Sequence, residues 1–162
     1  MRKSEREVTK IEEKFEALLR CGYMTLAIPR GEDAPYLVPL NFGAELAEEK
    51  LVLYFHCARE GTKLSLLRHC PAVSFSASNL LRVFNKGTAP CGYTTDYESV
   101  CGSGRACVLA GEAERLHGLR VLMAHYAPGP FPDGSFDARA LSLTEVVRIE
   151  AEEWTCKRLV RP

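Results

Sequence analysis

The chain lacks the features that would place it at once among nucleic-acid or membrane proteins. Its 21 Lys plus Arg residues balance 21 Asp plus Glu residues, so the formal net charge is zero. Capture of nucleic acid or of an anionic membrane needs a surface of one sign, which this balance argues against. The sequence also has no run of about 20 apolar residues that could form a membrane span. We expect neither a nucleic-acid nor a membrane partner, and any bound anion must be held by a local site.

Metal-binding and redox patterns are also missing. The seven cysteines are an odd number, and none are spaced as C-x-x-C, so neither a zinc ribbon nor a dithiol centre is indicated. His117 and His125 lie on a predicted helix without an accompanying acid–histidine motif, and we predict no metal site. The segment from Met1 to Glu16 is charged throughout and lacks the apolar run of a signal peptide. These observations predict a reduced, cytoplasmic protein.

What the sequence does contain is enough apolar material for one core. The 162 residues are 46% hydrophobic, and a chain of this size removes about 70% of its surface from water when it folds. We therefore expect residues 1–162 to form a single domain.

Hydrophobic spacing divides this domain into helices and strands. Ser4 to Glu7 has capping-box spacing, which predicts an N-terminal helix at about 4–21 that ends on a left-handed Gly22. The remainder, about 22–159, predicts a barrel. Apolar and β-branched runs predict strands, the first three of which form a meander: 23–28, 35–43, 51–57, 72–77 continued by 80–84, 99–112 and 144–152.

The segments between these strands are predicted to form helices and loops. A short helix begins at Gly61 and stops before Pro71, and a longer one runs from Leu116 to Tyr126 until a Pro128-Gly129-Pro130 loop closes it. Loops are expected at 45–50 and 85–96, and a bulge at Gly102 and Gly104. This order favours a mostly β (α+β) fold, an antiparallel barrel with flanking helices.

The segment 51–63 carries the first candidate site. It is a strand that feeds through a tight turn into a helix, where Gly61 allows close approach, Thr62 supplies a hydroxyl and Lys63 a positive charge. Backbone N–H groups at a helix start favour anions, so the segment predicts a phosphate cradle. The alternative is that Gly61 and Thr62 only cap the helix while Lys63 points into water.

A second candidate is the segment 36–43, in which Pro39 interrupts an apolar strand. Proline has no N–H to donate and therefore belongs on an edge or a bulge. A flat heteroaromatic ring can lie along such an edge and accept backbone hydrogen bonds. The alternative is an ordinary edge strand.

Four blocks of sequence resemble a known family. They are Val-Pro-Leu-Asn-Phe-Gly at 38–43, Leu-Tyr-Phe-His-Cys-Ala at 53–58 with Glu-Gly-Thr-Lys at 60–63, Tyr-Glu-Ser-Val-Cys-Gly-Ser-Gly-Arg-Ala at 97–106, and Ile-Glu-Ala-Glu-Glu-Trp-Thr-Cys-Lys at 149–157. Together they resemble the FMN-binding split-barrel family related to pyridoxamine 5′-phosphate oxidase, and most closely its nitroimidazole-resistance branch. The resemblance implies a six-stranded antiparallel split β-barrel and a homodimer with FMN in two clefts at its interface.

The same resemblance assigns roles to residues of this chain. Thr62 and Lys63 would hold the FMN phosphate, and Ser99 would contact the cofactor from the other half of the site. His56 would orient the substrate or donate a proton. The segment Val38 to Asn41 would run beside the flavin ring. The full set of implied cofactor contacts is Val38, Pro39, Leu40, Asn41, Phe55, His56, Thr62, Lys63 and Ser99.

Departures from the family pattern narrow the expected function. Pyridoxamine phosphate oxidases usually have arginine where this chain has Thr62, and their C-terminal Arg–His motif is not recognisable here. We therefore do not expect the oxidation of pyridoxamine phosphate. We expect an FMN-dependent oxidoreductase that uses NADH or NADPH to reduce a small acceptor such as a nitroaromatic. The alternatives are a non-catalytic flavin-binding sensor or carrier, and a split barrel that binds haem or another planar cofactor.

Overall fold

The computed structural model describes residues 3–127 and 129–161, which form one antiparallel sheet flanked by helices. Its strands are β1 (Glu7–Val8), β2 (Met24–Arg30), β3 (Asp33–Leu40), β4 (Gly43–Ala47), β5 (Lys50–Ala58), β6 (Ala72–Asn85), β7 (Tyr93–Val108) and β8 (Thr144–Leu159). Its helices are α1 (Ile11–Leu19), α2 (Thr62–His69), α3 (Glu112–Tyr126) and α4 (Ala138–Ser142).

The strand order is β3-β2-β6-β7-β8-β5-β4, and β1 pairs with β8. The strands at the two ends of this path, β3 and β4, do not pair with each other, so the sheet is not closed. This confirms the predicted fold class of a mostly β, split-barrel-like domain. The strands in the described part of the chain number eight and not six, because β1 is added and β4 forms largely where the loop at 45–50 was expected.

The predicted meander is confirmed in its first pairing and wrong in its second. β3 pairs with β2, as expected. In the described part of the chain, the third predicted strand, β5, pairs with β8 and β4 and not with β3, so it lies toward the other end of the sheet path. The chain crosses from β3 to β4 at Asn41 and Phe42. Phe42 is fully buried, and its backbone N–H donates to the Tyr126 hydroxyl of α3 at 3.0 Å. The expected loop at 45–50 is instead a tight turn, in which Glu48 and Glu49 have positive φ.

The predicted N-terminal helix at 4–21 is too long. Residues Ser4–Arg6 form one 3₁₀ turn, and α1 begins only at Ile11. Glu7 and Val8 pair with Lys157 and Cys156 of β8, so long-range pairing overrides the local capping-box pattern. The helix ends on Arg20 in an ordinary right-handed conformation, and Gly22 does not take the left-handed one.

Strands β6 and β7 form a hairpin that pairs as far as Asn85 and Tyr93, so the predicted 85–96 loop is shorter than expected. The predicted bulge lies at the expected place but on the partner strand: between Ser103 and Gly104 the pairing shifts register because β8 contains one extra residue, Glu152. A Cβ on Gly104 would collide with the backbone oxygen of Glu150. The long predicted helix is α3, whereas α4 was not predicted. Pro128 of the predicted closing loop lies outside the described residues.

Two clusters of buried side chains hold the layers together. The main core lies inside the curved sheet, under α1 and α2, and the smaller one lies between the sheet and α3. Strand β5 is buried on both faces, because Leu53 and Phe55 enter the main core while Val52 and Tyr54 enter the smaller one. Among the helices described, none is long and apolar enough to cross a membrane.

Two buried carboxylates in β7 are each clamped by two arginines. Glu98 accepts from Arg20 Nη2 at 2.7 Å and from Arg158 Nε at 2.7 Å. Asp96 accepts in the same way from Arg82 and Arg161. The hydrogen bond from Arg20 is the main cause of a pKa for Glu98 below its ordinary value, and it outweighs burial. Burial would raise the pKa of Asp96, but its arginine bonds outweigh it and lower the pKa.

Candidate functional site

A small cleft lies where β5 ends and α2 begins. Its volume is about 230 Å³. Gly61, the residue before α2, has a φ of 132°, which side chains rarely adopt, and no side chain caps the helix. This backbone lets the chain reverse from strand to helix within three residues. The cleft is lined by Tyr36, Cys57, Ala58, Glu60, Gly61, Thr62, Lys63 and Leu64.

Lys63 supplies the positive charge of this cleft. Its side chain is partly buried, and its Nζ lies 5.1 Å from the centre of the Phe55 ring. In the described part of the chain, no carboxylate forms an ion pair with it. Burial lowers the pKa of the Lys63 ammonium, and the nearby Cys57 partly opposes that effect. An ammonium that forms no ion pair in the described part of the chain, in a cleft whose carboxylate, Glu60, is exposed, favours an anionic ligand.

The backbone of α2 adds donors beside Lys63. The first intrahelical bond runs from the Ser65 N–H to the Gly61 carbonyl at 3.1 Å. The N–H groups of the preceding residues, Thr62 to Leu64, therefore have no carbonyl partner within the helix. Such groups, together with the helix dipole, bind phosphates well. Lys63 does not extend fully into water, since its side chain is partly buried and its ammonium lies 5.1 Å from the centre of the Phe55 ring.

Strand β3 brings the second candidate segment to the same place. It ends the sheet path with β2 as its single neighbour, which is the edge position expected for Pro39. Val38 and Leu40 lean against the core, whereas Pro39 and the following Asn41 are exposed. Tyr36, on the same face as Val38, lines the Lys63 cleft. The structure therefore places the edge of β3 next to the candidate phosphate site.

His56 and Ser99 do not join this cleft. His56 lies on the opposite face of β5 from Phe55, because neighbouring residues of a strand point to opposite faces. It borders a separate apolar cleft of about 210 Å³ formed with α3 and α4, whose walls include Leu119, Met123 and Phe136. Ser99 lies in the middle of β7, between Ser78 of β6 and Lys157 of β8.

Of the residues that line the Lys63 cleft, Thr62 and Lys63 were among the predicted contacts, whereas Cys57 and Tyr36 were not. Tyr36 belongs to the candidate segment 36–43, but no contact was assigned to it. The signal for both was strand alternation: Cys57 is two residues from Phe55, and Tyr36 is two residues from Val38. Burial raises the pKa of the Cys57 thiol, although the positive charge of Lys63 acts against it. Cys57 is therefore a neutral thiol beside the candidate phosphate site.

The family model described as pyridoxamine 5′-phosphate oxidase matches residues 11–158. The chain belongs to the pyridoxamine 5′-phosphate oxidase family. The match includes every element from α1 to the end of β8 except the last residue of that strand. No protein in a search of curated sequences matches the chain.

Solved structures share the fold of this family member. A candidate 5-nitroimidazole antibiotic resistance protein from Bacteroides thetaiotaomicron has a TM-score of 0.77 and 24% identity, over 93% of this chain and 85% of that one. A flavocytochrome from Azotobacter vinelandii has a TM-score of 0.79 and 20% identity, over 100% of this chain and 73% of that one. An FAD and haem binding protein from Mycobacterium smegmatis has a TM-score of 0.78 and 20% identity, over 94% of this chain and 73% of that one.

Proposed function

We propose that the protein binds FMN and uses it as an oxidoreductase, reducing a small acceptor such as a nitroaromatic with electrons from NADH or NADPH. The observation that carries the proposal is the Lys63 cleft: in the described part of the chain its partly buried ammonium forms no ion pair with a carboxylate, and it lies beside the N–H groups that begin α2. Membership of the pyridoxamine 5′-phosphate oxidase family supports the same conclusion.

The residues present fit a single phosphate group. Lys63 would pair with it, the Thr62 hydroxyl would donate to it, and the N–H groups at the start of α2 would complete the cradle. A Cβ on Gly61 would meet nothing within 4 Å, so the cradle opens outward and has room for a ligand. Its one cation and volume of about 230 Å³ suit one phosphate better than the diphosphate of FAD.

The rest of the flavin would extend along the edge of β3, where Val38, Pro39, Leu40 and Asn41 offer backbone groups, while Phe55 lies beneath Lys63. The flavin, when bound, supplies the transfer of electrons between the nicotinamide and the acceptor. The protein's contribution is to hold it and to supply protons. Reduction of a nitro group also consumes protons, and we propose His56 as their donor. Because His56 lies on the opposite face of β5 from Phe55, it would serve an acceptor at the flavin of a second copy of the chain.

We also propose a homodimer. Ser99 lies in the middle of the sheet and not in the Lys63 cleft, so its contact with the cofactor requires a second copy of the chain. Measurement of mass in solution tests this: a dimer is expected, and a monomer that holds flavin would contradict it. A reducing, cytoplasmic setting stays a prediction, supported by the seven cysteines being free thiols.

A second candidate is a carrier or sensor that binds flavin or haem without turnover. The observation that favours it is the fold shared with a flavocytochrome and with an FAD and haem binding protein. The absorption spectrum of the purified protein separates these cofactors. Anaerobic mixing of the flavin-loaded protein with NADH or NADPH then separates enzyme from carrier, because rapid bleaching of the flavin is expected of the oxidoreductase and no reduction is expected of the carrier.

Titration with FMN tests the site itself. Replacement Lys63→Ala removes one charge-assisted contact and should weaken binding by about 1.5–3 kcal/mol. Lys86→Ala is the matched control, because Lys86 is an exposed lysine between β6 and β7 and does not line the cleft. Equal FMN affinity in Lys63→Ala and the unaltered protein would contradict the assignment.

A further inference from the structure

A second, larger cleft lies on the other face of the sheet. Its volume is about 710 Å³, and it is formed by β4, β5, β7 and β8. Helix α3 covers only part of this face, where Gly118 packs so closely that a Cβ would lie 2.7 Å from the Tyr54 ring. The part beyond α3 stays open. This cleft shares no lining residue with the Lys63 cleft.

The pairing of the strands places four side chains in one row across the cleft. Arg105 of β7 pairs with Glu150 of β8, which pairs with Val52 of β5, which pairs with Glu45 of β4. Residues paired across a sheet point to the same face. The row therefore runs from the basic Arg105 through Glu150 and the apolar Val52 to the acidic Glu45.

Arg105 is exposed and is not paired with the glutamate that stands directly opposite it. Glu150 is instead held by Arg148, whose Nη2 lies 2.8 Å from its Oε1, and Arg148 Nη1 lies 3.8 Å from Glu114 Oε1. In the described part of the chain, no carboxylate forms an ion pair with Arg105. Within the same part, Arg148 Nε is buried and has no hydrogen-bond partner. Two guanidinium groups at one cleft thus keep unused N–H donors.

The carboxylate at the far end of the row does not neutralise them. Glu45 accepts from the Tyr54 hydroxyl at 2.7 Å and from His117 Nε2 at 2.9 Å. Burial, reinforced by Glu45, raises the pKa of Tyr54, so the phenol stays a neutral donor. The remaining charges of the cleft, on Glu48, Lys50 and Glu152, are exposed at its rim, where water screens them strongly.

We propose that this cleft binds a small organic anion. Its carboxylate or phosphate would lie against Arg105 and Arg148, whose forked donors suit such groups, and its apolar or aromatic body would rest on Val52 and Tyr54. Val52 and Ala58 of β5 stand about 20 Å apart along the strand, so the site is separate from the Lys63 cleft at that end. The proposal does not depend on flavin binding.

Calorimetric titration of the full chain with benzoate and with phenyl phosphate tests this. At least one probe should bind, and the tighter of the two identifies the preferred anionic group. Replacement Arg105→Gln should weaken binding at least tenfold, as expected when one charge-assisted contact is lost. Arg139→Gln, in an exposed residue of α4 outside the cleft, is the matched control and should leave binding unchanged.

Lys63→Ala should also leave binding of the probe unchanged, which separates this site from the candidate flavin site. The proposal is overturned if neither probe binds at millimolar concentration or if Arg105→Gln binds as tightly as the unaltered protein. It is overturned equally if Lys63→Ala abolishes binding. A changed mass of Arg105→Gln in solution would assign this residue to a contact between copies and would also overturn it.

Discussion

Strand β7 and the start of α2 bury charge in opposite ways. In β7, Asp96 and Glu98 are 2% exposed, and each is matched by two arginines. At the start of α2, the partly buried ammonium of Lys63 has no carboxylate partner in the part of the chain described. The matched charges satisfy one another and hold the fold. The unmatched charge is available to a ligand.

The matched carboxylates also connect distant parts of the chain. Arg20 follows α1, Arg158 lies near the end of β8, and both bind Glu98 in the central strand β7. The cluster thus joins the N-terminal and C-terminal segments to the middle of the sheet. If this account is right, substitutions of Glu98 or its two arginines should change the stability of the fold, and substitutions of Lys63 should change the binding of FMN.

The largest effect on stability is expected from Glu98→Gln. The amide keeps the shape but removes the charge that compensates two arginines, which should lower the free energy of unfolding by about 2–3 kcal/mol. Both arginines keep some contact with water, which limits the loss. Denaturant unfolding measures the change. Glu152→Gln, on an exposed residue, should change it by less than about 0.5 kcal/mol, and an equally small change in Glu98→Gln would contradict the account.

Acid should remove the same contribution in the unaltered protein. The pKa of Glu98 in the folded state lies below its ordinary value of 4.5. The ion pairs of Glu98 with Arg20 and Arg158 are therefore fully stabilising above pH 4.5, and their stabilisation is lost as the pH falls through the folded pKa of Glu98. Stability measured against pH should fall less steeply in Glu98→Gln below this point. If the stability of both proteins falls equally steeply with pH below 4.5, Glu98 does not titrate as expected.

A smaller loss is expected from Gly61→Ala. The added Cβ meets nothing within 4 Å, so the cost comes from the backbone, whose φ of 132° is unfavourable for alanine. We expect a loss of about 1–2 kcal/mol and weaker FMN binding. Gly22→Ala is the matched control, because Gly22 also faces open space but has no positive φ. Equal thermal unfolding of the two variants would show that the turn is not strained.

The smallest effect on stability is expected from Lys63→Met in the protein without cofactor. Burial lowers the pKa of this ammonium, so the fold disfavours its charge, and an apolar side chain of similar length relieves that cost. The free energy of unfolding should change by less than about 0.5 kcal/mol, or rise. A loss similar to that of Glu98→Gln would mean that Lys63 holds the fold and is not reserved for a ligand.

Local patterns predicted most of the strands but not their neighbours. The alternation of Val73, Phe75 and Ala77 predicted β6, and Gly61 with Pro71 bounded α2. The meander was wrong only at its third strand, because nothing local shows that Phe42 is anchored by Tyr126, 84 residues later. The N-terminal helix was too long for a similar reason, since β1 exists only through its pairing with β8.

The candidate site could also be predicted from the sequence only in part. Gly61, Thr62 and Lys63 are contiguous, so their grouping could be predicted, and the structure places Tyr36 of β3 beside them. His56 was expected near Phe55, yet alternation along β5 places it on the other face, a signal that the sequence already held. The burial of Glu98 could not be predicted, because its arginines come from residues 20 and 158.

The central claim is that the unmatched charge of Lys63 serves the phosphate of a flavin. The most direct measurement compares the affinities of FMN and riboflavin, which differ by that phosphate, in the unaltered protein and in Lys63→Ala. We expect FMN to bind at least tenfold more tightly than riboflavin to the unaltered protein, and the two affinities to become similar in the variant. Equal affinities in the unaltered protein, or an undiminished preference for FMN in Lys63→Ala, would contradict the account.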